Sequence, residues 1–212
     1  MKCIRLLFFS AVILWAHPAG ADNFSYTYLE VGSGKIWLKD DRIVSGDASG
    51  DVSGDAYDAF YLFFLSGAGQ LDNGIVIGGD ALLSGNKGAD TWVATWEYTL
   101  TGSYPVNMTK KIDIIPQLGF ASTRMVVCID GKCDIDNDIG LTYGIGLRAW
   151  VVPEKLEISA DWNDSTSDLS DSAFRLGGAL WWRKNHSVRL TAMLTDDQGA
   201  AGISYRYTAF WK

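Results

Sequence analysis

The chain has 212 residues, of which 25 are acidic and 18 are basic, so its formal net charge at neutral pH is −7. An acidic chain lacks the basic surface that nucleic-acid phosphates require, and we expect no nucleic-acid partner. Hydrophobic residues make up 48% of the chain, which is enough for one sizeable domain.

The first 21 residues have the features of a secretory signal. A basic start is followed by an apolar run over residues 6–16, and Ala19 and Ala21 form a small-residue cleavage site before Asp22. The apolar run is too short for a transmembrane helix, which needs about 20 apolar residues. We therefore expect cleavage after Ala21 and a single domain over residues 22–212.

After the signal, apolar and polar residues alternate with a period of two in many segments, which predicts β-strands. In "IGLTYGIGLRAWV", every second residue from Ile139 is apolar, while the other face carries Gly140, Arg148 and similar small or charged residues. We predict about ten strands, near residues 24–32, 55–66, 74–83, 91–103, 111–122, 138–151, 155–163, 172–183, 187–195 and 200–211. Eight strands are the alternative, if two N-terminal segments are loops.

The chemistry of the two faces favours a membrane barrel. In a soluble sandwich, the apolar face packs inward and the polar face meets water. Here the apolar faces are large and aromatic, and the opposite faces combine small residues with isolated charges, as in transmembrane barrels. We predict an all-β, closed antiparallel transmembrane β-barrel with an up-and-down meander, and a soluble sandwich is the alternative.

Three segments, "FSYTYLEVG", "GDAYDAFYLFF" and "GISYRYTAFW", resemble the small outer-membrane β-barrel superfamily of Gram-negative bacteria, the OmpX/OmpA-like barrels. The tail is similar to the C-terminal signal that such barrels show to their insertion machinery, and it ends on Lys212 rather than on an aromatic residue. The corresponding residues are Gly202, Tyr205, Tyr207 and Trp211. The resemblance implies a location in outer-membrane lipid and lipopolysaccharide, and we expect a monomer.

The even strand count places both termini on the periplasmic side. Periplasmic links are then predicted near residues 67–73, 104–110, 153–154 and 184–186. Outer loops are predicted near residues 33–54, 84–90, 123–137, 164–171 and 196–199.

Cys128 and Cys133 lie in the third of these outer loops. They flank Asp130 and Gly131, a pair that favours tight turns, so the two cysteines would face each other across a short hairpin. In an oxidising compartment this arrangement predicts a disulfide.

The acidic residues of the outer loops suggest a calcium site, but the pattern does not fit. Counted from Asp134, an EF-hand loop would have glycine and an acid where this chain has Ile139 and Ile145. We predict solvated loops, with no metal and no cofactor. The residues concerned are Asp40, Asp41, Asp47, Asp51, Asp55, Asp134, Asp136 and Asp138.

His186 is the one histidine that follows the signal, and barrel enzymes of this size use a histidine base. We predict that it lies in a periplasmic turn, and no acid is placed to orient its ring for Ser187. The sequence therefore predicts no enzymatic activity.

The inward faces are predicted to carry two segregated sets of charges. Acids come from the first five strands and arginines from the later ones, with two more acids between the arginines: Glu30, Asp58, Asp80, Glu97, Asp113, Arg148, Glu157, Asp161, Arg175, Arg189 and Arg206. Bulky residues also point inward, namely Phe60, Leu62, Phe64, Trp150, Trp181 and Phe210. Because about eight strands already give a filled interior, and unpaired buried charges are costly, we predict pairs across the lumen that plug the barrel. A narrow pore with a transverse field is the alternative.

Overall fold

The computed structural model describes residues 24–43, 56–88, 91–167, 169 and 172–209. This part of the chain forms eleven strands in one antiparallel sheet. Their bounds are β1 (Tyr28–Ile43), β2 (Ala56–Gln70), β3 (Val76–Lys87), β4 (Thr91–Ser103), β5 (Val106–Thr109), β6 (Ile112–Ile129), β7 (Lys132–Val152), β8 (Leu156–Ser165), β9 (Ala173–Arg183), β10 (His186–Leu194) and β11 (Gln198–Thr208). Within these ranges, no helix has the length and apolarity needed to cross a membrane.

Two pairings close the sheet into a barrel. β1 pairs with β11, and β4 pairs along its whole length with β6. The short β5 pairs with the start of β6 at one rim, so the wall consists of the other ten strands. The predicted closed, ten-strand meander is confirmed.

The two ends of the barrel differ. We call the end where β1 begins and β11 finishes the N-terminal rim, and the opposite end, which includes the turn between β6 and β7, the hairpin rim. Connections at the N-terminal rim are short, for example residues 153–155 between β7 and β8 and residues 184–185 between β9 and β10.

Side chains alternate between the lumen and the outer surface along each strand, as the pleat of a strand requires. On β11, Ser204 and Arg206 are buried inside, whereas Ile203 and Tyr205 are exposed outside. Most exposed apolar side chains of the described strands share the outer face, and Tyr61 reaches 71% exposure. In water, such a surface would be unfavourable by about 25 cal/mol per Å² of apolar area, whereas a bilayer solvates it.

Two predicted loops contain strand in the residues that the structure describes. β1 begins four residues later than predicted and runs to Ile43, and β6 and β7 are separated by just Asp130 and Gly131. These two residues have φ of 50° and 77°, the left-handed conformation of a tight two-residue hairpin, which suits glycine. Strand pairing thus continues beyond the apolar part of the wall, where the polar composition had indicated loops. The predicted link near residues 104–110 also contains β5.

Candidate functional site: the barrel lumen

The lumen contains most of the charges that the sequence assigned to the inward faces. Strand register places three acid–base combinations directly opposite each other on neighbouring strands: Glu30 with Arg206, Asp113 with Arg148, and Asp161 with Arg175. Asp80, Glu97, Glu157 and Arg189 also have inward positions on their strands. The side chains of Asp58, Phe210 and Trp211 lie outside the part of the chain that the structure describes.

Arg148 and Glu157 form a buried ion pair near the N-terminal rim. The Arg148 Nε and Nη2 atoms donate to the two Glu157 carboxylate oxygens at 2.8 and 2.9 Å. Trp181 Nε1 donates to Glu157 Oε2 at 3.2 Å, and its ring packs 6.1 Å from that of Trp150. A bidentate pair with a third donor compensates for most of the hydration that Glu157 loses.

Glu30 and Arg206 form a second buried pair where β1 meets β11. Arg206 Nε and Nη2 lie 2.6 and 2.5 Å from Glu30 Oε2, and the Ser204 hydroxyl donates to Glu30 Oε1 at 2.5 Å. The Arg206 guanidinium also lies 4.3 Å from the centre of the Tyr28 ring, a cation–π contact. The pair and the two side chains that contact it here, Ser204 and Tyr28, all belong to β1 and β11.

Phe24 and Tyr26 lie buried inside the barrel at the N-terminal rim. The Phe24 ring stacks on Trp150 at a centroid distance of 5.0 Å, and the Arg148 guanidinium lies 4.6 and 4.9 Å from the Phe24 and Tyr26 rings. The Tyr26 hydroxyl donates to Asp113 Oδ2 at 2.7 Å. Since β7 lies five strands from β1 around a ten-strand wall, the segment before β1 crosses the lumen to the opposite side.

Arg189 lies along the wall of the lumen. Its Nη2 donates to the Ser159 hydroxyl on β8, and the guanidinium passes over Gly177 on the strand between them. A Cβ atom at Gly177 would lie 2.7 Å from Arg189 Nε and from Ser159 Oγ. Glycine at this position therefore leaves the space that the arginine occupies.

Further from the N-terminal rim, the charges are less tightly paired. Arg175 Nη1 lies 3.7 Å from Asp161 Oδ1, and the Arg175 side chain is 45% exposed. Asn163 connects Asp161, on the same strand β8, to Gln117 on β6. Its side-chain amide donates to Asp161 Oδ1 at 3.0 Å and accepts from Gln117 Nε2. This part of the lumen is accessible to water, in contrast to the N-terminal rim.

The ion pairs of the described residues do not cross the lumen as the sequence analysis expected. Arg148–Glu157, Arg206–Glu30 and Arg175–Asp161 each join neighbouring strands. The cause is ring closure, which brings the acidic first strand next to the basic last strand, while Glu157 and Asp161 lie beside arginines on β7 and β9. The contacts that do cross the lumen are those of Phe24 and Tyr26 with Asp113, Arg148 and Trp150, which the alternation pattern does not predict.

His186 is the first residue of β10, on the outer surface, and does not lie in a turn as predicted. Its Nδ1 lies 2.6 Å from the Tyr205 hydroxyl, and its ring stacks on Trp182 at 6.0 Å. Tyr207 is 5.3 Å from the same ring. Tyr205 and Tyr207, which the sequence assigns to a predicted C-terminal signal, thus belong to an outward aromatic cluster, and Gly202 lies on the inward face of β11.

Cys128 and Cys133 are opposite each other in the β6–β7 register and form a disulfide, as predicted. Asp134 and Asp136 are exposed, Asp138 is half-buried and accepts from the Ser167 hydroxyl, and no group of three potential metal ligands occurs among the described residues. Asp134 Oδ1 accepts from the backbone N–H of Ile135 at 3.0 Å, and Asp138 Oδ1 from that of Ile139 at 2.8 Å.

Fold and lumen together define a closed ten-strand β-barrel with an apolar outer surface and a charged interior. The comparisons with family models and with curated proteins found no match.

Among solved structures, the chain is similar to the small outer-membrane β-barrels. Neisserial surface protein A is 11% identical, with 87% of this chain and 97% of that chain covered and a TM-score of 0.46. The KdgM porin is 8% identical, with 85% and 99% covered and a TM-score of 0.46. Outer membrane phospholipase A from Escherichia coli is 11% identical, with 93% and 96% covered and a TM-score of 0.43. These three proteins are named as a surface protein, a porin and a phospholipase, so the similarities do not indicate an activity.

Proposed function

We propose that this protein is an integral outer-membrane barrel of a Gram-negative bacterium whose lumen is closed, and that it has a non-enzymatic structural or surface-interaction role. The N-terminal rim then faces the periplasm, the hairpin rim faces the outside, and the exposed apolar belt contacts outer-membrane lipid. This orientation follows from export by the N-terminal signal and from the even number of wall strands.

The observation that carries the proposal is the crossing of the lumen by the segment that contains Phe24 and Tyr26. Both side chains are almost completely buried, at 3% and 4% exposure. Trp150 and Trp181 belong to the same buried cluster as Phe24 and Tyr26, and the Arg148–Glu157 pair lies beside them. A ten-strand wall is close to the size at which side chains alone fill the interior.

Conductance recordings in planar bilayers test the closed lumen. We expect silent bilayers with the wild type and channel openings with the double variant Phe24→Ala and Tyr26→Ala, because the variant removes the groups that cross the opening. The matched control is Phe63→Ala and Leu65→Ala, which removes two large side chains from the outer face. Reproducible channels in the wild type would contradict the closed lumen, and so would a silent Phe24/Tyr26 variant that is correctly inserted.

A narrow pore for ions or small solutes is the second candidate. It is favoured by the water-accessible Arg175 and by the unequal distribution of charge deeper in the barrel. On this alternative, the wild type conducts, and Arg175→Ala changes the ion selectivity of the channel without a large loss of stability.

We further propose that the chain assembles as a monomer and that β11 is presented to the barrel-insertion machinery. Gly202, Tyr205 and Tyr207 would then form the recognised strand together with Trp211. The exposed outward rings of Tyr205 and Tyr207 support this proposal. Lipopolysaccharide in the outer leaflet would surround the hairpin rim.

A further inference from the structure

Asp80 and Glu97 are lumen acids that form no ion pair with the lysines and arginines that the structure describes. They belong to the neighbouring strands β3 and β4, and Glu97 is directly opposite Leu82, two residues from Asp80. Among the described residues, neither carboxylate has a lysine or arginine nitrogen within 4.0 Å. Asp80 is exposed although its position on β3 faces the lumen, so water reaches this part of the interior.

Arg175 faces these two acids from the other side of the barrel. It lies on β9, five strands from β3 in a ten-strand wall and therefore opposite Asp80. Strand register places Arg175 at a similar depth, because the pairings followed from Asp80 reach β9 at Trp181 in one direction and beyond Ala173 in the other, and Arg175 lies between these two points. The width of the lumen separates them, and no direct ion pair forms.

The Arg175 side chain retains capacity for a further anion. Its contact with Asp161 is 3.7 Å, compared with 2.8 and 2.5 Å for the ion pairs of Arg148 and Arg206. The guanidinium has five N–H donors in a planar fork, which can hold a carboxylate besides Asp161. Its side chain is also 45% exposed, so a ligand can reach it.

We propose that the lumen binds a small aliphatic zwitterion, with its ammonium group at Asp80 and Glu97 and its carboxylate at Arg175. Such a molecule satisfies both walls at once, whereas a simple cation or anion leaves one wall without a partner. Leu82 points inward two residues after Asp80 and directly opposite Glu97. Its side chain provides an apolar contact for the connecting methylene groups. This inference goes beyond the proposed closed lumen, because it concerns what the accessible part of the interior holds.

Titration calorimetry on the complete protein in detergent micelles tests the site with three probes of similar size. γ-Aminobutyrate carries both charges, butylamine carries the positive one and butyrate the negative one. We expect γ-aminobutyrate to bind at least about tenfold more tightly than either singly charged probe, since one charge-assisted interaction contributes about 1.5–3 kcal/mol. The proposal would be overturned if butylamine or butyrate bound as tightly as γ-aminobutyrate. It would also be overturned if γ-aminobutyrate did not bind.

Variants locate the site. Glu97→Gln, which preserves side-chain size, and Arg175→Gln, which removes the guanidinium, should each weaken γ-aminobutyrate binding by about tenfold or more. The control is Asp136→Asn on the exposed part of β7, which should leave the affinity unchanged. Unchanged binding in both lumen variants would refute the site. Calorimetry measures affinity and not conductance. A failure of the closed-lumen proposal in the bilayer recordings can therefore be distinguished from a failure of the binding site.

Discussion

Arg148 and Arg206 have their guanidinium groups buried inside the barrel, with exposures of 7% and 4%. Removing such charges from water is costly, and their attraction to a carboxylate repays the cost only with good geometry and further hydrogen bonds. Both pairs meet that condition, through Trp181 at Glu157 and through Ser204 at Glu30. The contribution of each pair is therefore best seen by removing one partner.

Glu157→Ala should lower the free energy of unfolding by about 3–5 kcal/mol, because the buried Arg148 loses its carboxylate. Arg175→Ala is the contrasting variant, since its contact with Asp161 is long and exposed, and it should lower that free energy by less than about 1 kcal/mol. Urea unfolding in micelles, followed by tryptophan fluorescence, measures both. An equal loss of unfolding free energy in the two variants would show that the buried pair of Arg148 is no stronger than the exposed pair of Arg175.

At the scale of strands, β7 extends beyond its neighbour β8. Their ladder begins at Thr142 and Ser165, and Thr166 and Ser167 still hydrogen-bond to Leu141 and Asp138, so within the described residues β7 is an edge strand from Asn137 to the hairpin turn. The backbone N–H of Ile135 lies in this edge segment, and Asp134 Oδ1 accepts from it at 3.0 Å. Exposed edges invite pairing with other chains, and local acceptors together with negative charge counteract it.

Asp134→Ala should therefore promote self-association through β7. Asp136→Ala removes the same charge from the same exposed strand, but Asp136 has no such bond to a neighbouring N–H among the described contacts, and this variant should remain monomeric. Sedimentation velocity in micelles over a range of protein concentrations distinguishes them. Identical behaviour of the two variants would show that Asp134 has no role at this edge.

The strands differ in how far the sequence predicts them. The alternation predicts β8 and β9 to within two residues, because their inward and outward faces are chemically distinct. The second half of β1 and the tip of the β6–β7 hairpin were mistaken for loops, because strands outside the apolar belt need no apolar face. Phe24 and Tyr26 were assigned to a strand because they continue the alternation of Tyr28 and Glu30.

For the whole molecule, the inward positions of the charges followed from alternation alone, but their partners did not. Partners depend on which strands the closed ring makes neighbours, and the adjacency of β1 to β11 is a property of closure. The segment before β1 contacts β7 because the two lie opposite each other across the lumen, and this too is a property of the closed barrel. Contact of the apolar outer surface with lipid is what distinguishes a membrane barrel from a soluble one.

Cell fractionation combined with electrophoresis of unheated and heated samples tests this central claim most directly. The wild type should be found in the outer membrane and should change mobility on heating, as a folded barrel unfolds. Tyr207→Asp, which places a charge on the lipid-facing side of β11, should reduce the amount in that fraction, whereas Ile135→Asp on the exposed hairpin should not. Recovery of the wild type as a soluble periplasmic protein, with no heat-dependent mobility, would contradict the account.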